Sequence, residues 1–221
     1  MARIQQNYMV TEDSDLQFVV AELMKSHIKN WGKDKNDWLV QIKTAGGVDD
    51  TLNHEVLFQE LKESGLKTLG IVVDADDSCQ AKWEGIKEFC RKAKAPIPQA
   101  CPPNGLIVDK IIGESGVEAR FGVWIMPNNN SDGMLESFCH GMIPAGNEKL
   151  LEYAVGCIDK AKTLGAPYKT VHHNKALMHT WLAWQDPPGE RMGRAIAKKI
   201  LKPDAPGAKL FVDWFRKLYG L

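Results

Sequence analysis

One stretch limits the fold more than any other: TLGIVVDADD, residues 68–77. Leu69, Ile71, Val72 and Val73 make an apolar run too short for a helix and rich in β-branched residues. A run of this kind, without alternation, suits a strand buried on both faces, as in the centre of a parallel sheet. Three carboxylates follow, Asp74, Asp76 and Asp77. In open α/β sheets ligands bind beyond the carboxyl ends of the strands. Asp74 and Asp76 are two residues apart and would share a side in extended chain. Carboxylates held that close repel unless a cation lies between them. Mg²⁺ (or Mn²⁺), a hard ion that takes oxygen ligands, meets that demand. The same acids also suit the start of a helix, with Asp77 or Ser78 as N-cap.

The preceding chain predicts two further strands. Residues 7–10 are a short apolar segment that runs into Thr11-Glu12-Asp13-Ser14-Asp15. Leu16, Val19, Val20, Leu23, Met24 and Ile28 then recur at helical spacing, with Ser14 or Asp15 as N-cap. Residues 38–44 alternate as a second strand, Gly46-Gly47 ends it, and a helix is expected up to residue 64. The central strand comes third, followed by a helix over 79–93. Leu106–Ile112 and residues 119–126 are two more strands, either an antiparallel hairpin at a sheet edge or the flanks of a longer excursion. Pro127-Asn128-Asn129-Asn130-Ser131-Asp132-Gly133 is a polar loop at a strand end, and residues 134–139 are a short helix carrying Glu136.

Beyond residue 143 the texture becomes helical. Segments 149–164, 174–184, 191–200 and 210–218 read as helices between proline-rich joints. The expected fold is therefore α/β, a mostly parallel sheet flanked by helices with a helical C-terminal extension. The expected division is residues 1–145 for the sheet domain and 146–221 for the extension packed on it.

Charge narrows the partners. Lys plus Arg and Asp plus Glu number 28 each, so there is no global attraction to nucleic acid or membrane, and any nucleic-acid contact needs a local patch. Arg191, Arg194, Lys198 and Lys202 form such a stripe at helical spacing, although a solvated helix face has the same pattern. No apolar run approaches the ~18 residues of a membrane span, and the first residues lack a signal-peptide core. Five cysteines without C-x-x-C spacing fit free thiols in a reducing, cytoplasmic setting. Cys139-His140 lacks a second paired ligand set for a metal.

The two acidic turns would converge if the first and third strands were neighbours, with Glu12 or Asp13 beside Asp74 and Asp76. Such a cluster can hold Mg²⁺ against a phosphodiester, and a carboxylate not committed to metal can carry a proton.

At this point the sequence resembles the Toprim superfamily of primases, topoisomerases and OLD-family nucleases, in which a strand ending in E-G-x-x-D is followed by one ending in D-x-D. It is most similar to an uncharacterised bacterial family with a Toprim-like fold. The resemblance rests on GIVVDADD (70–77), Trp83, GVWIMPNN (122–129), GMLESFC (133–139), HNKALMHTWLAWQDPPG (173–189) and FVDWF (211–215). It implies a Mg²⁺-dependent nuclease or related phosphoryl-transfer protein, with Asp74 and Asp76 on the metal and Glu12 as catalytic acid or base. Asp13, Asp15, Asp77, Asn128 and Glu136 would line the site. It also implies nucleic acid as substrate and an OLD-like ATPase as partner in phage defence. Aligning Asp15 and Phe18 with the family pattern puts Thr11 at the glutamate and Glu12 at the glycine, and Asn128 stands where the family has aspartate. The alternative is a catalytically degenerate Toprim-like module that binds a partner ATPase or a nucleotide.

Two other patterns compete less well. Asp74, Asp76 and Ser78 mimic the D-x-D-x-[TS] loop of haloacid dehalogenase-like phosphatases, but that loop follows the first strand of its domain, not the third. His172, His173 and His179 lack the spacing of a zinc helix. His179, Trp181 and Trp184 are instead expected to pack the helical extension.

Overall fold

A computed structural model describes residues 6–45, 65–112 and 116–221. The helix expected to end at residue 64 lies outside the described residues. The strands are β1 (Asn7–Thr11), β2 (Gln41–Thr44), β3 (Thr68–Asp74), β4 (Leu106–Ile112) and β5 (Glu118–Met126). The described helices are α1 (Ser14–His27), α2 (Cys79–Lys92), α3 (Leu135–His140), α4 (Glu148–Thr163), α5 (His173–Ala183), α6 (Met192–Ala197) and α7 (Pro206–Tyr219). The protein is thus α/β, with one five-stranded sheet of order β2-β1-β3-β5-β4. β1 pairs in parallel with β2 and β3, and β3 with β5. β4 runs antiparallel to β5 as the edge hairpin.

Local chemistry sets the element boundaries. The N-cap of α1 is Asp13, not Ser14 or Asp15: its side chain accepts the Leu16 N–H at 2.8 Å, satisfying an amide the helix leaves open. α2 is capped by Ser78, whose hydroxyl oxygen accepts the Ala81 N–H at 3.1 Å. α7 begins with Pro206 and ends on Gly220 in the left-handed region. β2 covers only the last four of the seven residues expected to be strand, because Lys35–Asp37 form a 3-10 turn and the chain straightens only at Gln41.

The core lies on both faces of the sheet. Leu69, Ile71 and Val73 of β3 face α2, against Trp83, Ile86 and Phe89. Val72, Met9 and Trp124 face the other way, against α1 and α7. This explains why the β3 sequence does not alternate. Gly70 and Gly122 stand side by side on that second face, in register across β3 and β5. A Cβ on Gly122 would meet Leu218 at 2.6 Å, and one on Gly70 would meet the Tyr219 hydroxyl at 2.2 Å. The glycine pair is therefore a slot for the end of α7. Tyr219 closes it by donating its hydroxyl to the Tyr8 carbonyl at 2.7 Å.

The helical C-terminal part shares the sheet's core. Met178, Trp181, Ile196, Phe211, Trp214, Phe215 and Leu218 belong to the same buried cluster as Met9, Val72 and Trp124. Of the three residues expected to pack this part, Trp181 is buried, whereas His179 is exposed and Trp184 is 41% exposed. The difference follows from helix phase: Leu177, Met178, Trp181 and Leu182 share the inward stripe of α5, and His179 falls between its rows. Among the described residues no helix is long and apolar enough to cross a membrane.

Candidate functional site

The parallel pairing of β1 and β3, with Thr11 opposite Val72, brings their carboxyl ends together. Asp74 is the last residue of β3, and its Oδ1 accepts the N–H of Leu135 at 2.9 Å. The same contact brings the start of α3, and with it Glu136, to the tip of β3. The chain then turns sharply. Asp76 takes a left-handed conformation, φ 53°, and exchanges two backbone hydrogen bonds of 2.9 Å with Gly133. The extended geometry that would have put Asp74 and Asp76 on one side thus stops at Asp74. The turn, not the strand pleat, sets where Asp76 points.

Glu12 completes the group. β1 ends at Thr11, which is fully buried and donates its hydroxyl to the Lys43 and Asp13 carbonyls, each at 3.2 Å. Strand alternation no longer applies one residue later, so Glu12 can swing over the tip of β3. Its Oε1 accepts the Asp74 N–H at 3.2 Å, and only 5% of the residue is exposed. Thr11 supports the turn, while Glu12 supplies the carboxylate.

Two lysines enter this acidic group. Lys82, from the first turn of α2, lies 3.0 Å from Asp76 Oδ2 and 3.5 Å from Glu12 Oε1. Lys175, from α5, lies 3.0 Å from Glu136 Oε1, a carboxylate with almost no exposure. Neither lysine was flagged from sequence. A signal did exist for Lys82: a cation in the first turn of a helix opposes the helix dipole, and no acid of that turn offsets it. Its partners had to come from elsewhere.

The electrostatics follow from this crowding. Burial, then the charges of Glu12, Glu136, Asp76 and Asp13, push the Asp74 carboxyl up to about 8. Burial raises Glu12 as well, against the pull of Lys82. For Lys82, burial opposes the charge, but Glu12 and Asp76 outweigh it and hold the ammonium above its usual range. Cys139 is fully buried beside Glu136 and Asp74, which keeps its thiol neutral. The five cysteines are free.

Other expected site residues stand apart. Asp15 and Asp77 are exposed, Asp15 in the first turn of α1 and Asp77 just before the Ser78 cap. Asn128 is exposed and closes its own loop, its Oδ1 accepting the N–H groups of Asn130 and Ser131 at 3.1 and 2.8 Å. Asp132 holds that loop to α2 by accepting the Cys79 N–H at 2.8 Å, a positioning role the sequence reading missed. The basic stripe is shorter than expected. Arg191 is the N-cap of α6, a six-residue helix, and Glu190 pairs with both Arg194 and Lys198.

In kind, the donors suit a hard divalent cation: carboxylate oxygens from adjacent strand tips, crowded enough to hold a proton on Asp74. In placement, no three acids among the described residues stand together around one ion position. Lys82 occupies the space between Glu12 and Asp76. A groove of about 950 Å³ lies elsewhere, between β4 and α7, and none of these acids lines it.

A family model described as a protein of unknown function, DUF3226, matches residues 6–220 of the chain. No curated protein and no solved structure matches it.

Proposed function

The chain belongs to the DUF3226 family, and for it we propose a Toprim-like phosphoryl-transfer site at the tips of β1 and β3, acting on nucleic acid. Asp74 and Asp76 would hold Mg²⁺ or Mn²⁺ there, and Glu12 would carry the proton. The observation that carries this reading is the crowding of Asp74 by acids from three elements, Glu12 and Asp13 from the β1 turn, Asp76 from its own turn and Glu136 from α3. Folding brings these charges together against their repulsion, an arrangement typical of sites that handle a cation or a proton. When bound, the metal would stabilise charge developing on phosphate oxygens. Leu135 N–H fixes the orientation of Asp74, and burial of Glu12 moves its proton affinity toward the range useful for general acid–base work. The OLD-like ATPase partner and a role in phage defence come to this reading through the family resemblance alone.

The test is cleavage of plasmid or tRNA by purified protein in Mg²⁺ or Mn²⁺. We expect Asp74→Ala to reduce the rate by at least ~100-fold and Glu12→Gln by a comparable factor. Cleavage that survives the Asp74 change overturns the assignment.

A specific observation favours a second reading. Lys82 already neutralises Glu12 and Asp76, as a catalytically degenerate module that binds a partner ATPase or a nucleotide would tolerate. Calorimetric titration with Mg²⁺ separates the two. Absence of both heat and cleavage supports the module, whereas saturable binding supports the enzyme.

A further inference from the structure

We propose that Cys79 and Cys101 form an oxidation site, two thiols that a low-molecular-weight disulfide converts into one internal disulfide. The pair owes nothing to the acids at the strand tips; the path of residues 95–105 brings it together. α2 runs away from the tip of β3, and the chain must climb back along it to start β4 at the same end of the sheet. Three hydrogen bonds mark the climb. The Ala95 N–H donates to the Cys90 carbonyl at 2.9 Å, the Trp83 indole N–H to the Gln99 carbonyl at 3.0 Å, and Asn129 Nδ2 to the Pro103 carbonyl at 3.3 Å. Cys101 falls between the last two. From Trp83 to Cys79 is one turn of α2, about 6 Å, and from Gln99 to Cys101 is two residues of loop, at most about 7 Å. Just past them, the Cys79 N–H and the Pro103 carbonyl reach the same polar loop, at Asp132 and Asn129. Cys101 is therefore held level with Cys79 from both sides. Both sulfurs belong to the core under α2, where Cys79 is 5% exposed and Cys101 packs half-buried at the edge. Burial and then the charge of Cys79 push the Cys101 thiol up to about 12, so each sulfur feels the other. The remaining cysteines lie elsewhere. Cys90 is eleven residues along α2 from Cys79, roughly 16 Å away. Cys139 is in the core of the opposite sheet face, and Cys157 is on α4.

Cys101, the more exposed thiol, meets the oxidant. Its thiolate attacks one sulfur of the small disulfide, breaks that S–S bond and releases one small thiolate, which takes up a proton. Cys79 then loses its proton to water and attacks the Cys101 sulfur. The internal S–S bond forms, and the second small thiol leaves. Two protein thiols have lost two electrons and two protons, and one small disulfide has gained them as two thiols. Burial raises Cys79 as well, ahead of the charge of Asp132, so few thiolates are present and the bond forms slowly. For the same reason no electrostatic contact favours the reduced pair, and the bond resists reduction once made. The site is thus a staple and not a rapid switch. It pins the first turn of α2, beside Ser78, to the loop that leads into β4.

The experiment uses the full chain in native buffer, with oxidised glutathione as the probe. Remaining thiols are alkylated and the chain is cut with trypsin, which leaves Cys79 in Thr68–Lys82 and Cys101 in Ala95–Lys110, each without a second cysteine. Mass spectrometry then reads which peptides are joined. We expect these two peptides joined by a disulfide, and the oxidised protein to melt roughly 5 °C or more above the reduced protein. Cys101→Ser should remove both the joined peptides and the gain. Glutathione left on Cys101 without closure, Cys101 joined to another cysteine, joining only in urea, or no reaction overturns the proposal. Joined peptides without a rise in melting temperature overturn the staple. Should Cys101→Ser fail to fold, the peptide map and melting of the wild type decide alone.

Discussion

Asp74 concentrates the electrostatic cost of this fold. Burial first, and then its acidic neighbours, raise its carboxyl from the ordinary value near 4 to about 8. Between those limits the folded chain keeps a proton that the unfolded chain releases. Stability linked to that proton is complete below pH ~4 and is lost as the pH rises through about 8. Asp74→Asn removes the dependence while its side-chain oxygen can still accept the Leu135 N–H. In metal-free buffer we therefore expect the variant to melt above the wild type at pH 8 and close to it at pH 5. The stability gap should widen by up to ~1.4 kcal/mol per pH unit. Urea unfolding at the two pH values checks this, and a gap that narrows toward pH 8 would contradict it. Glu12 teaches a related lesson at the same scale. Its usefulness depends on β1 ending at Thr11, since one more residue of extended chain would have turned it to the other face.

At the scale of elements, α7 is the piece whose seat was least visible beforehand. Its proline start, glycine end and inward Phe211, Phe215 and Leu218 follow from helical spacing. Its docking depends on an absence of side chains, Gly70 beside Gly122 on the sheet face. Gly122→Ala drives a methyl group into Leu218 and should cost roughly 1–3 kcal/mol. Combining it with Leu218→Ala should recover part of that loss relative to the sum of the two single changes, a coupling a double-mutant cycle in urea would measure. Strict additivity would place α7 elsewhere. The basic stripe shows the opposite case. Helical spacing aligns Arg191, Arg194 and Lys198, yet Lys199, at φ 60°, ends the helical path, and Glu190 folds back onto two of the cations.

For the whole molecule, the C-terminal helices join α1 in covering one face of the sheet. Val72, Met9 and Trp124 have Phe211, Phe215 and Leu218 in their cluster, and Trp124 meets the Phe211 ring edge-on at 5.3 Å. A chain cut after residue 205 would leave that face open to water. We expect it to lose cooperative unfolding and to bind ANS, not to persist as an independent sheet domain. A sharp thermal transition in the truncated chain would show that the sheet domain stands without α7. This layering also bears on the site, because Lys175 reaches Glu136 from α5. The C-terminal helices thus contribute a charge to the acids at the strand tips.

What the sequence by itself determined is whatever depends on short-range pattern. The both-faces-buried run of β3, the β4–β5 hairpin as one of two options, the helical spacing of α1 and α2, and the placement of Asp74 at a strand end all follow from residues within a few positions of one another. Tertiary structure alone decided the rest, because it turns on strand order and on chain reversals that bring distant residues together. The side-by-side tips of β1 and β3 brought Glu12 to Asp74, sixty-two positions away. The turn at Asp76 and the docking of α2 and α5 set two lysines among acids with which they share no local motif. Charge pairing between elements leaves no periodic trace in a chain, so the cation that holds this site together could be identified only once the fold had placed it there.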